Sequence, residues 1–178
     1  MGFYTQLLKQ LLTLKEKMNT MKVIFGLVLF FFCSIYLSAQ VHQEGDFLRG
    51  GVIFHINETQ DTALICAIRD QAQYVDWASA KQLCERFFSI QDGQMYRGWR
   101  MPSKAEIVKM KEKRDMINAA SEKNGGEGFD PGFGAHYWSG TEEGTHAWLQ
   151  PFTFGLLTLM HKDSNTFFVR GVQKVALK

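Results

Sequence analysis

The stretch from Gly98 to Ile107, G-W-R-M-P-S-K-A-E-I, constrains this chain more than any other. Pro102 fixes its own φ and keeps the residue before it out of the helical region, so a helix begins after it rather than through it. Ser103 and Glu106 then stand at capping-box spacing. The serine hydroxyl accepts from the N3 amide, and the glutamate reaches back to the N-cap amide. Pro102 and Ile107 occupy the two staple positions, and Trp99 supplies a large apolar anchor. An extended segment that turns on a tryptophan into a capped helix is a corner between sheet and helix. Its charged residues, Arg100 and Glu106, read as a structural pair and a cap.

On the N-terminal side, Val52–Ile56 and Ala63–Ile68 are apolar runs of strand length around a polar connection, the pattern of a β-hairpin. Asn57-Glu58-Thr59 in that connection matches a glycosylation sequon, relevant only in a eukaryotic secretory route. Arg69 to Val75 reads as a loop, and Asp76 as the cap of a helix starting at Trp77. Trp77, Ala80, Leu83, Cys84, Phe87 and Phe88 recur on one face, so that face is expected to pack inward. Gln91-Asp92-Gly93 is a turn signal.

Beyond the corner, a second helix is expected from Lys104 to Ala119-Ala120, with Ile107, Met110 and Ile117 inward and the basic residues of Lys104–Arg114 on a solvated face. Asn124-Gly125-Gly126 stops it. Gly125 to Ala135 reads as a long ordered loop, because it carries Phe129 and Phe133 where a linker would be polar. Strands are expected near Tyr137–Ser139, His146–Leu149, Gly155–Met160 and Phe167–Val175. The fold class is therefore α+β: two helices packed on a mostly antiparallel twisted sheet, with a long loop region.

The N-terminus reads differently. Met21-Lys22, an apolar run from Val23 to Tyr36, and Leu37-Ser38-Ala39-Gln40 form the pattern of a secretory signal peptide, with cleavage expected after Ala39. The run is short for a membrane span, which takes about 20 apolar residues. Residues 1–20 are read as an over-long start ahead of the true initiator Met21, residues 21–39 as the signal peptide, and residues 40–178 as one domain. The chain is then exported to the periplasm, the cell surface or the medium, with no stable membrane span after cleavage. The formal charge of +2 belongs to the leader, which carries Lys9, Lys15, Lys17 and Lys22 against Glu16 alone. The remainder has a formal charge of −1, so it lacks the basic excess that nucleic-acid binding uses. Of three cysteines, Cys33 leaves with the leader. Cys66 and Cys84 are either one disulfide, which would contribute about 3 kcal/mol, or two buried thiols.

The ordered set G-G-V-I-F at Gly50, D-Q at Asp70-Gln71, D-W-A-S-A-K-Q-L-C at Asp76, the corner at Gly98, Y-W-S-G-T-E at Tyr137, A-W at Ala147-Trp148 and F-V-R-G-V at Phe168 resembles the bacterial FISUMP domains, akin to the C-terminal domain of Lcl-type surface proteins. The resemblance spans about residues 48 to 175. Met101, Gly140 and Lys174 depart from the commoner residues of that pattern. The resemblance implies a C-type-lectin-like fold on exported proteins, some of which are regarded as adhesion or glycan-binding modules.

Function is then expected in the loops. Calcium-dependent sugar sites of C-type lectins use E-P-N or Q-P-D loops and a W-N-D strand. Gln150-Pro151-Phe152 lacks the carboxylate, and W-N-D does not occur. His55, His136, His146 and His161 show no H-x-x-x-H or H-x-E spacing, so no metal or other cofactor is expected, although His136 and His146 flank one hairpin. Ser139 is not in a G-x-S-x-G elbow. The formylglycine-generating enzymes share the lectin-like fold, but they need cysteines late in the chain. Four tryptophans, Trp77, Trp99, Trp138 and Trp148, stand at element positions typical of core, with Trp138 and Trp148 expected nearest a surface. The expectation is a non-catalytic binding module for a glycan or surface protein, with Asp130, His136, Trp138, Glu143, His146 and Trp148 as its ligand-binding residues. An enzyme of unknown type on the same scaffold, or a purely structural surface domain, are the alternatives.

Overall fold

The computed structural model describes residues 2, 6, 13–22, 25 and 41–177. The chain forms two compact units, Met1–Val41 and His42–Lys178. In the first, residues 13–22 are helical. The expected signal peptide lies outside the described residues apart from Met21, Lys22 and Phe25. Among the described residues no helix is long and apolar enough to cross a membrane.

The second unit is α+β. Strands β1 (Phe47–Leu48), β2 (Gly51–Ile56), β3 (Thr62–Ala67) and β11 (Val172–Ala176) make a four-stranded antiparallel sheet in the order β1-β2-β3-β11. Strands β4 (Ala72–Val75), β10 (Phe167–Val169), β7 (His136–Glu143), β8 (His146–Pro151) and β9 (Thr158–His161) make a five-stranded sheet in that order. Its β10–β7 pairing is parallel and the rest antiparallel. A small hairpin joins β5 (Ser89–Gln91) and β6 (Gln94–Tyr96) across the Asp92-Gly93 turn.

The helices differ in part from expectation. Helix α1 (Trp77–Arg86) is capped by Asp76, whose carboxylate accepts from the Ser79 amide at 2.9 Å. Trp77, Ala80 and Cys84 are buried, but Leu83 and Phe88 are exposed: ten helical residues present one narrow stripe, and Phe88 lies past the helix end. The expected second helix is two helices, α2 (Lys104–Glu112) and α3 (Arg114–Lys123), broken at Lys113 with φ −99° and ψ 12°. Ile107 and Met110 on α2 and Ile117 on α3 share one apolar cluster, so the break lets both segments lie on the same core. The expected strand Phe167–Val175 is likewise two, β10 and β11. Arg170-Gly171 passes the chain from the five-stranded sheet to the four-stranded one. The segment read as a loop at Arg69–Val75 contains β4, paired to β10.

The corner at Gly98–Ile107 joins the two sheets. Both halves of the capping box are made: the Ser103 amide donates to Glu106 Oε2 at 2.7 Å, and the Glu106 amide donates to Ser103 Oγ at 3.3 Å. Arg100 exchanges backbone bonds with Val172 of β11 at 3.0 and 2.8 Å. The Gly140 amide of β7 donates to the Pro102 carbonyl at 2.7 Å. Trp99 is buried, its ring edge-on to Phe87 at 5.3 Å.

Candidate functional site: a pinned loop face

The long loop is held from below by a buried charge. Arg170 is fully buried, and its Nε donates to Asp70 Oδ1 at 2.5 Å. A guanidinium cannot shed its proton, so burying it calls for a counter-charge and acceptors around it. Nη1 and Nη2 donate to the Glu127 and Gly128 carbonyls at 3.1 and 2.8 Å, and the guanidinium lies 4.1 Å from the Phe129 ring centre. Tyr137 continues the network: its hydroxyl donates to Asp70 Oδ2 at 2.9 Å and accepts from the Asp130 amide at 3.0 Å. Burial pushes the Asp70 carboxyl above its ordinary range, with Arg170 and Tyr137 pulling it back. Burial, then the Asp70 charge, pushes the Tyr137 hydroxyl well up, so it stays a protonated donor.

Further bonds finish the clamp. The Glu127 amide donates to the Ile68 carbonyl at 2.7 Å, Arg69 to the Gly125 carbonyl at 2.6 Å, and the Phe129 amide to Asn118 Oδ1 at 2.8 Å. The Gly132 amide closes a local turn on Asp130 Oδ1 at 2.6 Å. Thr153 Oγ1 donates to the Gly132 carbonyl at 2.7 Å, joining this loop to the β8–β9 connection. Lys111 and Arg114 hold that second loop through the Gly155 and Phe152 carbonyls at 2.9 and 2.7 Å.

What the clamp displays is apolar. Phe133, Phe154 and Leu156 are 84, 70 and 85% exposed, and the two rings lie 5.5 Å apart. The sequence points to Phe133 only as a sign that the loop is ordered, and none of the three is among the expected ligand-binding residues. The available signal was a phenylalanine between glycines at Gly132-Phe133-Gly134 and apolar residues beside Gly155, neither in a periodic element. Next to the loop, a cleft of about 370 Å³ is lined by Asp70, Gln73, Asn118, Glu122, Glu127 and Asp130 among others. Its one buried acid is already engaged by Arg170. Among the described residues no three His, Cys, Asp or Glu side chains converge as a metal site.

The six expected ligand-binding residues do not form one site. Asp130 and His136 belong to the loop end, where His136 Nδ1 lies 2.9 Å from the Gly134 carbonyl and its ring centre lies 5.5 Å from that of Phe167, tilted by 38°. Trp138 is a core residue with no exposure, and the expectation that it reaches a surface is wrong. Its indole N–H donates to the Val75 carbonyl at 2.9 Å, and its ring meets Phe167 edge-on at 4.9 Å. Tyr137, Trp138 and Ser139 are all buried because helices and sheet cover β7 on both faces there.

Glu143, His146 and Trp148 gather at the far end of β7 and β8. Trp148 donates to Glu143 Oε1 at 2.7 Å, and Lys104 Nζ covers its ring at 3.2 Å. His146 stands beside His161, ring centres 5.3 Å apart. The remaining tryptophans are buried, Trp77 donating to the Ser139 carbonyl at 2.8 Å.

Cys66 and Cys84 are free, buried thiols. Burial pushes each up to about 12, so neither offers a thiolate nucleophile at neutral pH.

The described domain is thus an α+β unit that presents an apolar loop face on a rigid base. No protein-family model matches the chain, and no curated protein matches it.

Proposed function

We propose that this chain is an exported, non-catalytic binding module of the C-type-lectin-like kind, which engages a surface protein or glycan through the face formed by residues 125–135 and 152–157. The observation that carries this reading is the Phe133–Phe154 pair. Two large aromatic rings stand in water together, on loops tied down by the buried Arg170 and by Thr153. Rings held in place lose little further freedom on binding, so their desolvation goes into affinity. Contiguous exposed apolar residues on a rigid scaffold mark recognition surfaces. The chemistry favours a protein over a sugar. Three of four tryptophans are buried, the fourth is covered by Lys104, and Leu156 cannot stack on a pyranose.

The double variant F133S/F154S, compared with the parent against a glycan array and against solubilised surface proteins, tests the reading. Binding by the parent that falls at least about tenfold in the variant, with an unchanged thermal midpoint, is the expected outcome. Equal binding by both proteins would remove the loop face as the site.

A further inference from the structure

At the end of β8 away from the loop face, the sheet places two histidines side by side. Strands β8 and β9 are antiparallel with His146 directly opposite His161, so both side chains leave the same face of the sheet. The rings are 5.3 Å apart between centres and 78° between planes, and both residues are half-buried. Each Nδ1 has a hydroxyl beside it: Thr145 Oγ1 lies 3.0 Å from His146, and Ser164 Oγ lies 3.0 Å from His161. Donation from Nδ1–H to those hydroxyls leaves both Nε2 lone pairs free, the arrangement that orients a metal-binding imidazole. The Asp163 amide donates to His161 Nδ1 at 3.3 Å, so metal binding through Nε2 of His161 requires that bond to break.

We propose that His146 and His161 form a two-histidine chelate for a late first-row transition-metal dication, zinc or copper. Two imidazoles on one dication, with metal–nitrogen bonds of about 2.0–2.1 Å, need their ligating nitrogens roughly 3.3 Å apart. The ring centres are 5.3 Å apart, so both side chains must re-orient to bring their Nε2 atoms to that separation. Imidazole is the side chain such ions prefer, whereas calcium and magnesium want oxygen. Glu143 pairs with His146 across β7, which brings a carboxylate into the same transverse row, but its Oε1 accepts from Trp148. Water therefore completes the coordination, and the site stays open to a ligand from outside.

The site is independent of the loop-face reading and is tested separately. Full-length protein carrying isotope-labelled histidine is titrated with zinc chloride and followed by NMR. The ring signals of His146 and His161 are expected to move together at the same metal concentration, ahead of those of His42, His55 and His136. By calorimetry, H161A and H146A should each weaken zinc binding about tenfold or more, while H136A and H42A change it less than about twofold. Movement of only one of the two rings, or H161A binding zinc as tightly as the parent, would overturn the proposal. The NMR arm uses the unaltered chain, so it decides the matter even if a variant fails to fold.

Discussion

At the scale of single residues, two charged groups in this fold are held by partners to different degrees. Arg170 is buried without exposure and relies on Asp70 and two carbonyls to hold its charge. Deleting one partner of such a pair strands the other, which typically costs about 3–5 kcal/mol. R170M is therefore expected to lower stability by about that much in urea denaturation, and R170M/D70L to recover part of it. A cost below about 1 kcal/mol for R170M would mean the pair is not the clamp described. Glu106 is a milder case. Burial pushes its carboxyl up, but Arg100 and the Ser103 amide together pull it further down, and the net position is below the ordinary range. A depressed carboxyl contributes stability that is present above its unfolded pKa and lost as pH falls through its folded pKa. E106A should cost about 1 kcal/mol at neutral pH, through the lost cap. Glutamine also suits a capping box, so E106Q should cost less, and its deficit should close as the medium is acidified below the carboxylate range. A deficit that stays constant with pH would show that the glutamate charge adds nothing; Arg100, which is 44% exposed, contributes little by itself.

At the scale of elements, the segment that matters is the loop from α3 to β7. Its entry is fixed by Gly126, where a Cβ would lie 2.2 Å from the Ile68 carbonyl oxygen, a backbone atom that cannot step aside. G126A should lift the loop off β3 and cost about 1–3 kcal/mol. It should also weaken whatever binds at Phe133 and Phe154, and hydrogen exchange at the Glu127 amide, now bonded to Ile68, should rise. Protection at Glu127 equal to that of the parent would contradict this account. The capped corner was readable in the sequence because capping chemistry is local: Ser103 and Glu106 lie three residues apart and need nothing else. The helix break at Lys113 was not, since neither glycine nor proline marks it and only packing on the shared core imposes it. Trp138 misled for a similar reason. Strand alternation assigns one face to solvent, but at Tyr137–Ser139 the sheet is covered on both sides. The His146–His161 pair is set by the register of β8 on β9, which depends on how the intervening loop closes. No spacing in the sequence encodes it.

At the scale of the whole molecule, the two ends of the second unit close one sheet. Strand β1 is one edge of the four-stranded sheet and β11 is the other. Just before β1, the Gly45 amide donates to the Ile53 carbonyl at 2.8 Å, and Glu44 pairs with Lys113 at 2.7 Å. The chain is thus committed to the fold within a few residues of His42. At the other end, β11 carries the Val172 bridge to Arg100 and covers the inner side of the corner, and Val172 and Val175 are buried in two different apolar clusters. Removing β11 would expose β3 as an edge and open both clusters, a loss of several kcal/mol against a typical total of about 5–15 kcal/mol. A chain trimmed to residues 42–178 is therefore expected to unfold in urea in a single transition at the midpoint of the full chain, whereas one ending at residue 171 should show no cooperative transition. Circular dichroism and tryptophan fluorescence should report coincident curves for the first, because Trp99 and Trp138 sit in separate clusters of one cooperative unit. Two separated transitions would show instead that the four-stranded and five-stranded sheets fold independently, and that the corner at Gly98–Ile107 tethers them without coupling them.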